Sequence, residues 1–107
     1  MLSFTALADP TRRAIVALLV EGERTAGEIV ERFDMSAPAI SQHLKILLAA
    51  QLISVRTESQ RRIYALDPEG LHEIEAWIAQ MRRAWEKRLD ALDRARRTAD
   101  ARLRKKK

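Results

Sequence analysis

No cysteine occurs in the 107 residues of this chain, so disulfides, thiolate metal sites and cysteine nucleophiles are excluded. No apolar run approaches the roughly 18 residues that a membrane-spanning helix needs. The N-terminus lacks the basic region, long apolar segment and cleavage site of a signal peptide. These absences predict a cytoplasmic chain with no membrane partner and no cofactor. Glycine and proline are scarce, with three of each, so every one of them is informative as punctuation. The length fits one domain with a small core, so burial against a partner matters.

The formal net charge of +5 is unevenly spread. Residues 94–107 hold eight basic side chains against Asp100 alone, which is +7. Residues 1–93 hold 12 basic and 14 acidic groups, which is −2. The expected organisation is therefore a body over residues 1–93 and a basic C-terminal tail over 94–107. Such a tail can hold phosphates without reading sequence or keep the chain soluble. Within the body, residues 36–66 carry Lys45, Arg56, Arg61 and Arg62 against Glu58, a local +3.

Ser36 opens the most informative stretch. It suits a helix N-cap, and Pro38 suits the first turn. Ile40, Leu44, Leu47 and Leu48 recur at helical spacing and predict a buried face. The opposite face carries Ala37, Pro38, Ser41, Gln42 and Lys45, small residues and outward donors. A helix entering the major groove needs that combination. A merely solvated helix face would look the same, so the flanking segments decide.

Those segments are ordered. Ser3 is expected to cap a short helix holding Phe4 and Leu7. Asp9-Pro10 starts a second helix, to about Val20, with Ile15, Leu18 and Leu19 inward; Arg12 and Arg13 either stay solvated or touch a phosphate, and read as solvated. Thr25-Ala26-Gly27-Glu28 is a capping box. It opens a short helix that buries Ile29, Val30 and Phe33. Asp34-Met35 leaves room only for a tight turn before Ser36, giving a helix-turn-helix rather than an ordinary helical hairpin. Leu52, Ile53 and Val55, then Ile63 to Leu66, are β-prone runs around a polar, basic tip, which predicts a hairpin. Placed after such a helix, the hairpin is a wing.

Asp67-Pro68-Glu69 starts a last helix. Leu71, Ile74, Ile78, Met81, Trp85, Leu89 and Leu92 recur at threes and fours, with Trp77 beside them. Over 71 to 92 the helix would span about 33 Å, more than so small a core can cover, so a homodimer is expected. From Asp93 the apolar signal fades, and a fraying helix and mobile tail are expected. The fold class is thus mainly α with a small β-hairpin, a winged helix-turn-helix with a long C-terminal dimerisation helix.

This order resembles the winged helix-turn-helix repressors of the ArsR family. The matching stretches are Leu7-Ala8-Asp9-Pro10-Thr11-Arg12-Arg13, Ser41-Gln42-His43-Leu44-Lys45 and Arg61-Arg62-Ile63-Tyr64-Ala65-Leu66-Asp67-Pro68. With the residues between them they cover roughly residues 4–80. The resemblance implies a dimeric transcriptional regulator, usually a repressor, joined through its first and last helices. Phe4, Leu7, Leu71, Ile74, Ile78, Met81, Trp85 and Leu89 are then the dimer-interface candidates. Metal-sensing members place paired cysteines in the helix that here reads Thr25 to Val30, and others use Asp and His on the last helix. This chain has no cysteine, and its last helix offers His72, Glu73 and Glu75 without a second histidine, so no metal site is expected. His43 reads as structural or phosphate-contacting.

The function expected is a sequence-specific DNA-binding regulator, a homodimeric repressor on an inverted repeat of double-stranded DNA. Candidate DNA contacts are Ser36, Ala37, Pro38, Ala39, Ser41, Gln42, His43, Lys45, Arg56, Arg61 and Arg62, with Ser41 and Gln42 reading bases and the cations on phosphates. Tyr64 reads as an anchor of the wing. The alternative is a protein–protein interaction module built on the same fold. An enzyme is not expected: Ser41 and His43, two apart on a helix, face different sides and cannot form a nucleophile–base pair. The effector is left open.

Overall fold

The computed structural model describes residues 2–105. The elements are α1 (Leu2–Leu7), α2 (Pro10–Val20), β1 (Arg24–Thr25), α3 (Ala26–Glu31), α4 (Ala37–Ala49), β2 (Ile53–Glu58), β3 (Arg61–Leu66) and α5 (Pro68–Lys105). Two units divide the chain, one ending at Ile74 and one starting at Glu75.

Helix starts in the first unit follow from side chains that satisfy orphan N–H groups. The Asp9 carboxylate accepts from the amides of Thr11 (2.8 Å) and Arg12 (3.1 Å), and Pro10 takes the first helical position. Those amide hydrogen bonds, led by Arg12, hold the Asp9 carboxyl below its ordinary value. Thr25 and Glu28 form the reciprocal capping box at α3. The Thr25 amide donates to Glu28 at 3.0 Å and, with the Thr25 hydroxyl, lowers the Glu28 carboxyl. Ser36 Oγ accepts from the Ala39 amide at 3.3 Å and starts α4.

The core of this unit is Ala6, Ile15, Leu18, Leu19, Ile29, Ile40, Leu44, Leu47, Ala50, Leu52, Ile53 and Tyr64, drawn from α1 to α4, β2, β3 and the corner after α4. Val30, Phe33, Leu48, Leu71 and Ile74 are half-buried against it. Ser3 is a correction. It lies inside α1, fully buried, with its hydroxyl unpartnered, and caps nothing. Arg12, half-buried, is a second correction; Arg13 is exposed as expected but is also held by backbone. α1 ends without a glycine cap, and its last carbonyls take these guanidinium groups instead: Arg12 Nε donates to Ala6 O (2.6 Å) and Arg13 Nη1 to Leu7 O (2.8 Å).

The sheet has three strands in the order β1-β3-β2, all antiparallel. β2 and β3 pair from Ile53↔Leu66 to Glu58↔Arg61, leaving Ser59-Gln60 as the turn. Ser59 has φ 59°, the positive φ that tight hairpin turns require. β1 adds a strand that the sequence pattern does not signal, because two residues show no alternation. It pairs Arg24 with Tyr64 and Thr25 with Ile63, so Thr25 is both a strand residue and the cap of α3. Tyr64 is 4% exposed and anchors the wing.

α4 ends in a Schellman motif: the Leu52 amide donates to Leu47 O (3.1 Å) and the Gln51 amide to Leu48 O (3.0 Å). Gln51 takes the left-handed position, φ 58°. The first turn of α5 packs on this corner. Gly70 is buried there, and its amide donates to Gln51 O at 2.8 Å.

The second unit is helical to Lys105. The helix does not fray at Asp93. There Asp93 bridges Arg96 and Arg97, both at 2.9 Å, one turn further on. Trp77, Ile78, Met81, Trp85, Leu89, Leu92 and Leu103 are all exposed. Trp77, Met81, Ala84, Trp85 and Arg88 line a shallow apolar groove of about 600 Å³. Among the described residues no helix is long and apolar enough to cross a membrane.

Candidate nucleic-acid interface

α4 separates its residues cleanly. Ile40, Leu44 and Leu47 are buried to within 3%. Ser36, Ala37, Pro38, Ser41, Gln42 and Lys45 are exposed, and Ala39 and His43 are half-buried. The exposed set is small at the N-terminal end and carries hydroxyl, amide and ammonium groups further along. Nothing bulkier than Pro38 stands between the start of the helix and Gln42 on that face, so it can approach base edges closely.

The wing supplies cations beside it. Arg61 and Arg62 follow the turn and are exposed. With Gln60 they line a hollow of about 460 Å³ against Thr25, Ala26 and Gly27. The β1–β3 pairing makes this possible, since it fixes the start of α3 to the strand that carries both arginines.

Arg56 stands differently. Its Nη2 lies 2.8 Å from Glu23 and 3.4 Å from Glu58. The hydrogen bond to Glu23 raises the Arg56 guanidinium and lowers the Glu23 carboxyl. Arg56 is thus neutralised where Arg61 and Arg62 are not drawn into any ion pair within 4 Å among the described residues. Position 23 falls in a loop, beyond the end of the α2 pattern, and no sequence spacing signals the pair.

His43 meets Arg12: Nη1 of Arg12 lies 3.2 Å from His43 Nδ1. The arginine that closes α1 therefore also touches the candidate reading helix. Of the interface candidates on helices α1 and α5, Phe4, Leu7, Leu71 and Ile74 are half-buried, while Ile78, Met81, Trp85 and Leu89 are exposed. Among the described residues no group of three or more His, Asp or Glu side chains is placed to hold a metal ion.

Comparison with known proteins agrees with this geometry. Residues 9–55, from the cap of α2 to the middle of β2, match the family described as bacterial regulatory protein, arsR family. The chain is 49% identical over 69 residues to an HTH-type transcriptional regulator of Mycobacterium tuberculosis, a span of 64% of each protein. It is 44% identical over 75 residues to the transcriptional repressor SdpR of Bacillus subtilis, covering 70% of this chain and 83% of that one. The crystal structure of an ArsR family transcriptional regulator superposes with a TM-score of 0.75 at 35% identity, over 79% of this chain and 88% of the other. The family match takes in the helix-turn-helix and the start of β2, and the chain belongs to the ArsR family of transcriptional regulators.

Proposed function

We propose that the protein acts in the cytoplasm as a homodimeric repressor that binds an inverted repeat in double-stranded DNA. The observation that carries this is the division of α4. Its apolar side is locked into the core, and its small, donor-bearing side is open from Ser36 to Lys45. Ser41 and Gln42 read base edges. Ser36, Ala37, Pro38 and Ala39 allow the close approach. Lys45, Arg61 and Arg62 hold phosphates, with a wing arginine able to enter the minor groove. Arg56 joins them only when it leaves Glu23.

The exposed apolar line of α5 supports the dimer. Ile78 and Leu89, Met81 and Leu92, and Leu92 and Leu103 are each eleven residues apart. That period, about 3.67 residues per turn, keeps a continuous apolar line that winds slowly along a helix, in the sense of a right-handed supercoil. A second copy of the same line would cover it. Two copies of α4 would then enter successive major grooves, about 34–36 Å apart.

Selection of bound duplexes from random DNA tests this reading. The expected product is a palindrome whose half-sites lie about one helical turn apart. Enrichment of no sequence would leave only phosphate binding, and a single unrepeated half-site would remove the dimer.

A further inference from the structure

His43 lies in the middle of α4, directly after Gln42, and is half-buried. Its Nδ1 is 3.2 Å from Arg12 Nη1. A guanidinium offers N–H donors only and keeps its charge. The contact is therefore a hydrogen bond only if Nδ1 bears a lone pair, which makes the ring neutral and puts its proton on Nε2. Nε2 has no hydrogen-bond partner among the described residues. It is also absent from the buried, unpartnered side-chain atoms there, which are Ser3 Oγ and Arg24 Nε. It is therefore not sealed from solvent, and it lies on the helix that carries Ser41 and Gln42.

Arg12 is fixed from the other side. Nε donates to Ala6 O (2.6 Å), Nη2 to Thr5 O (3.3 Å), and the backbone amide to Asp9 (3.1 Å). Its place is set by the end of α1 and the cap of α2, so the ring must conform to it.

We propose that Arg12 is a positioning residue for DNA contact: it holds His43 as the neutral Nε2–H tautomer, which donates to a backbone phosphate oxygen, so that a proton added at Nδ1 weakens binding. This rests on the DNA-binding function proposed above.

The sign is opposite to the usual one. A histidine beside phosphates ordinarily binds them better when protonated, because a cation is added. Here the added N–H would point at the N–H of a permanent cation, and the ring has to leave its place. Asp9, within electrostatic reach of His43, accepts the amides of Thr11 and Arg12 on Oδ1 and makes no hydrogen bond to the ring. α1 carries no ionisable side chain. Arg13 of α2 donates to Leu7 O and Ala8 O. On α3, Glu28 closes the capping box and Glu31 lines a hollow with Arg24 and Arg32. On β2, Arg56 and Glu58 pair with each other, and Arg56 with Glu23. Apart from Arg12, none of these groups is hydrogen-bonded to the His43 ring in its present place.

The test uses the full chain and the duplex recovered by selection. Histidine changes charge between about pH 5 and 8, so affinity is measured across that range by fluorescence anisotropy. Wild type should lose about threefold to tenfold in affinity on acidification. His43→Gln should respond less, and Arg12→Gln should reverse the sign, because the freed ring then binds as a cation. Nitrogen-15 spectra of the imidazole in the free protein should show a bare Nδ1 and a protonated Nε2. Tighter wild-type binding in acid, an unchanged pH response in His43→Gln, or a proton on Nδ1 would each overturn the proposal. Should Arg12→Gln not fold, wild type against His43→Gln still decides. Should no duplex bind, the contact to phosphate falls with the DNA reading, and the nitrogen spectra separately decide whether Arg12 sets the tautomer.

Discussion

Glu23, in the loop after α2, holds Arg56 of β2 at 2.8 Å, and so adds a polar link between wing and body to the β1–β3 ladder and the buried Tyr64. The pair has two consequences, one for stability and one for charge at the interface.

Stability follows the acid. The folded Glu23 carboxyl lies below its ordinary value of 4.5 because Arg56 donates to it. A lowered carboxyl contributes stability above the unfolded value, and the contribution is lost as pH falls through the folded value. The link should thus be intact at neutral pH and lost in acid, as pH falls through the lowered Glu23 value. Amide exchange in β2 should accelerate there, and Glu23→Gln should abolish that step. Both groups are solvent-exposed, so global stability should barely change.

Charge follows the base. With Arg56 neutralised, Arg56→Ala should leave the salt dependence of DNA binding nearly unchanged. Glu23→Gln frees the cation and should steepen the slope by about one unit per wing that takes up a phosphate. Affinity against salt checks both. An Arg56→Ala slope change as large as that of Arg61→Ala would show that Arg56 leaves Glu23 on binding.

Gly70 and Gln51 meet at the corner between α4 and α5. A Cβ on Gly70 would lie 2.7 Å from Ala50 O and 2.8 Å from Gln51 O, both backbone atoms. Neither can yield without opening the Schellman motif. Gly70→Ala should therefore destabilise by about 1–3 kcal/mol, despite the better helix propensity of alanine. Gln51 sits at φ 58°, where glycine is preferred. Gln51→Gly should stabilise by about 1 kcal/mol, a rise of about 4–8 °C in Tm for a domain of this size. Thermal melts check the opposite signs.

What is legible in the sequence is local. Asp9-Pro10, the Thr25–Glu28 box and Ser36 each act within three residues, and each starts a helix where expected. The buried faces of α2 and α4 follow from period alone. The features that escape the sequence are pairings across the chain. Arg12 and Arg13 read as solvated because nothing nearby in sequence pairs with them; their partners are carbonyls five to seven residues back, at and just beyond the end of another helix. Ser3 has the side chain of a cap, yet tertiary packing draws it inside. β1 is recruited by β3 and has no pattern of its own. At the interface the outward face of α4 is readable, whereas the Glu23–Arg56 pair and the Arg12–His43 contact depend on the fold.

Reading and holding should separate by variant. Gln42 is exposed in the first half of α4, and an amide can bond adenine bidentately for about 1–3 kcal/mol of discrimination. Gln42→Ala should relax preference at one base position per half-site with little change in salt slope. Arg61→Ala should weaken all duplexes evenly and lower the slope by about one unit for each phosphate no longer held, approaching two in a dimer. Affinities for the operator, its single-base variants and random duplex distinguish them. An Arg61→Ala variant indifferent to the base at one position would make the wing a reader.

The final helix carries the assembly prediction. Trp85 and Leu103 are each 64% exposed, which is costly for a tryptophan and a leucine left in water. Placing charges at Ile78 and Trp85 together should give monomer or unfolded chain, with loss of operator binding. The turns beyond Asp93 are less obvious, because they are both basic and helical. If they served only as cations, deleting residues 94–107 would weaken operator and random DNA alike and leave the dimer constant untouched. The line through Leu92, Ala95, Ala99 and Leu103 argues for more, since alanines and leucines at that spacing continue the apolar face. Burying one leucine contributes about 1.5–3 kcal/mol. Leu103→Glu, which keeps every basic residue, should therefore raise the dimer Kd about tenfold or more. Sedimentation at low micromolar concentration measures it. An unchanged Kd in Leu103→Glu would end the paired face at Leu92 and leave residues 94–105 to their charge alone.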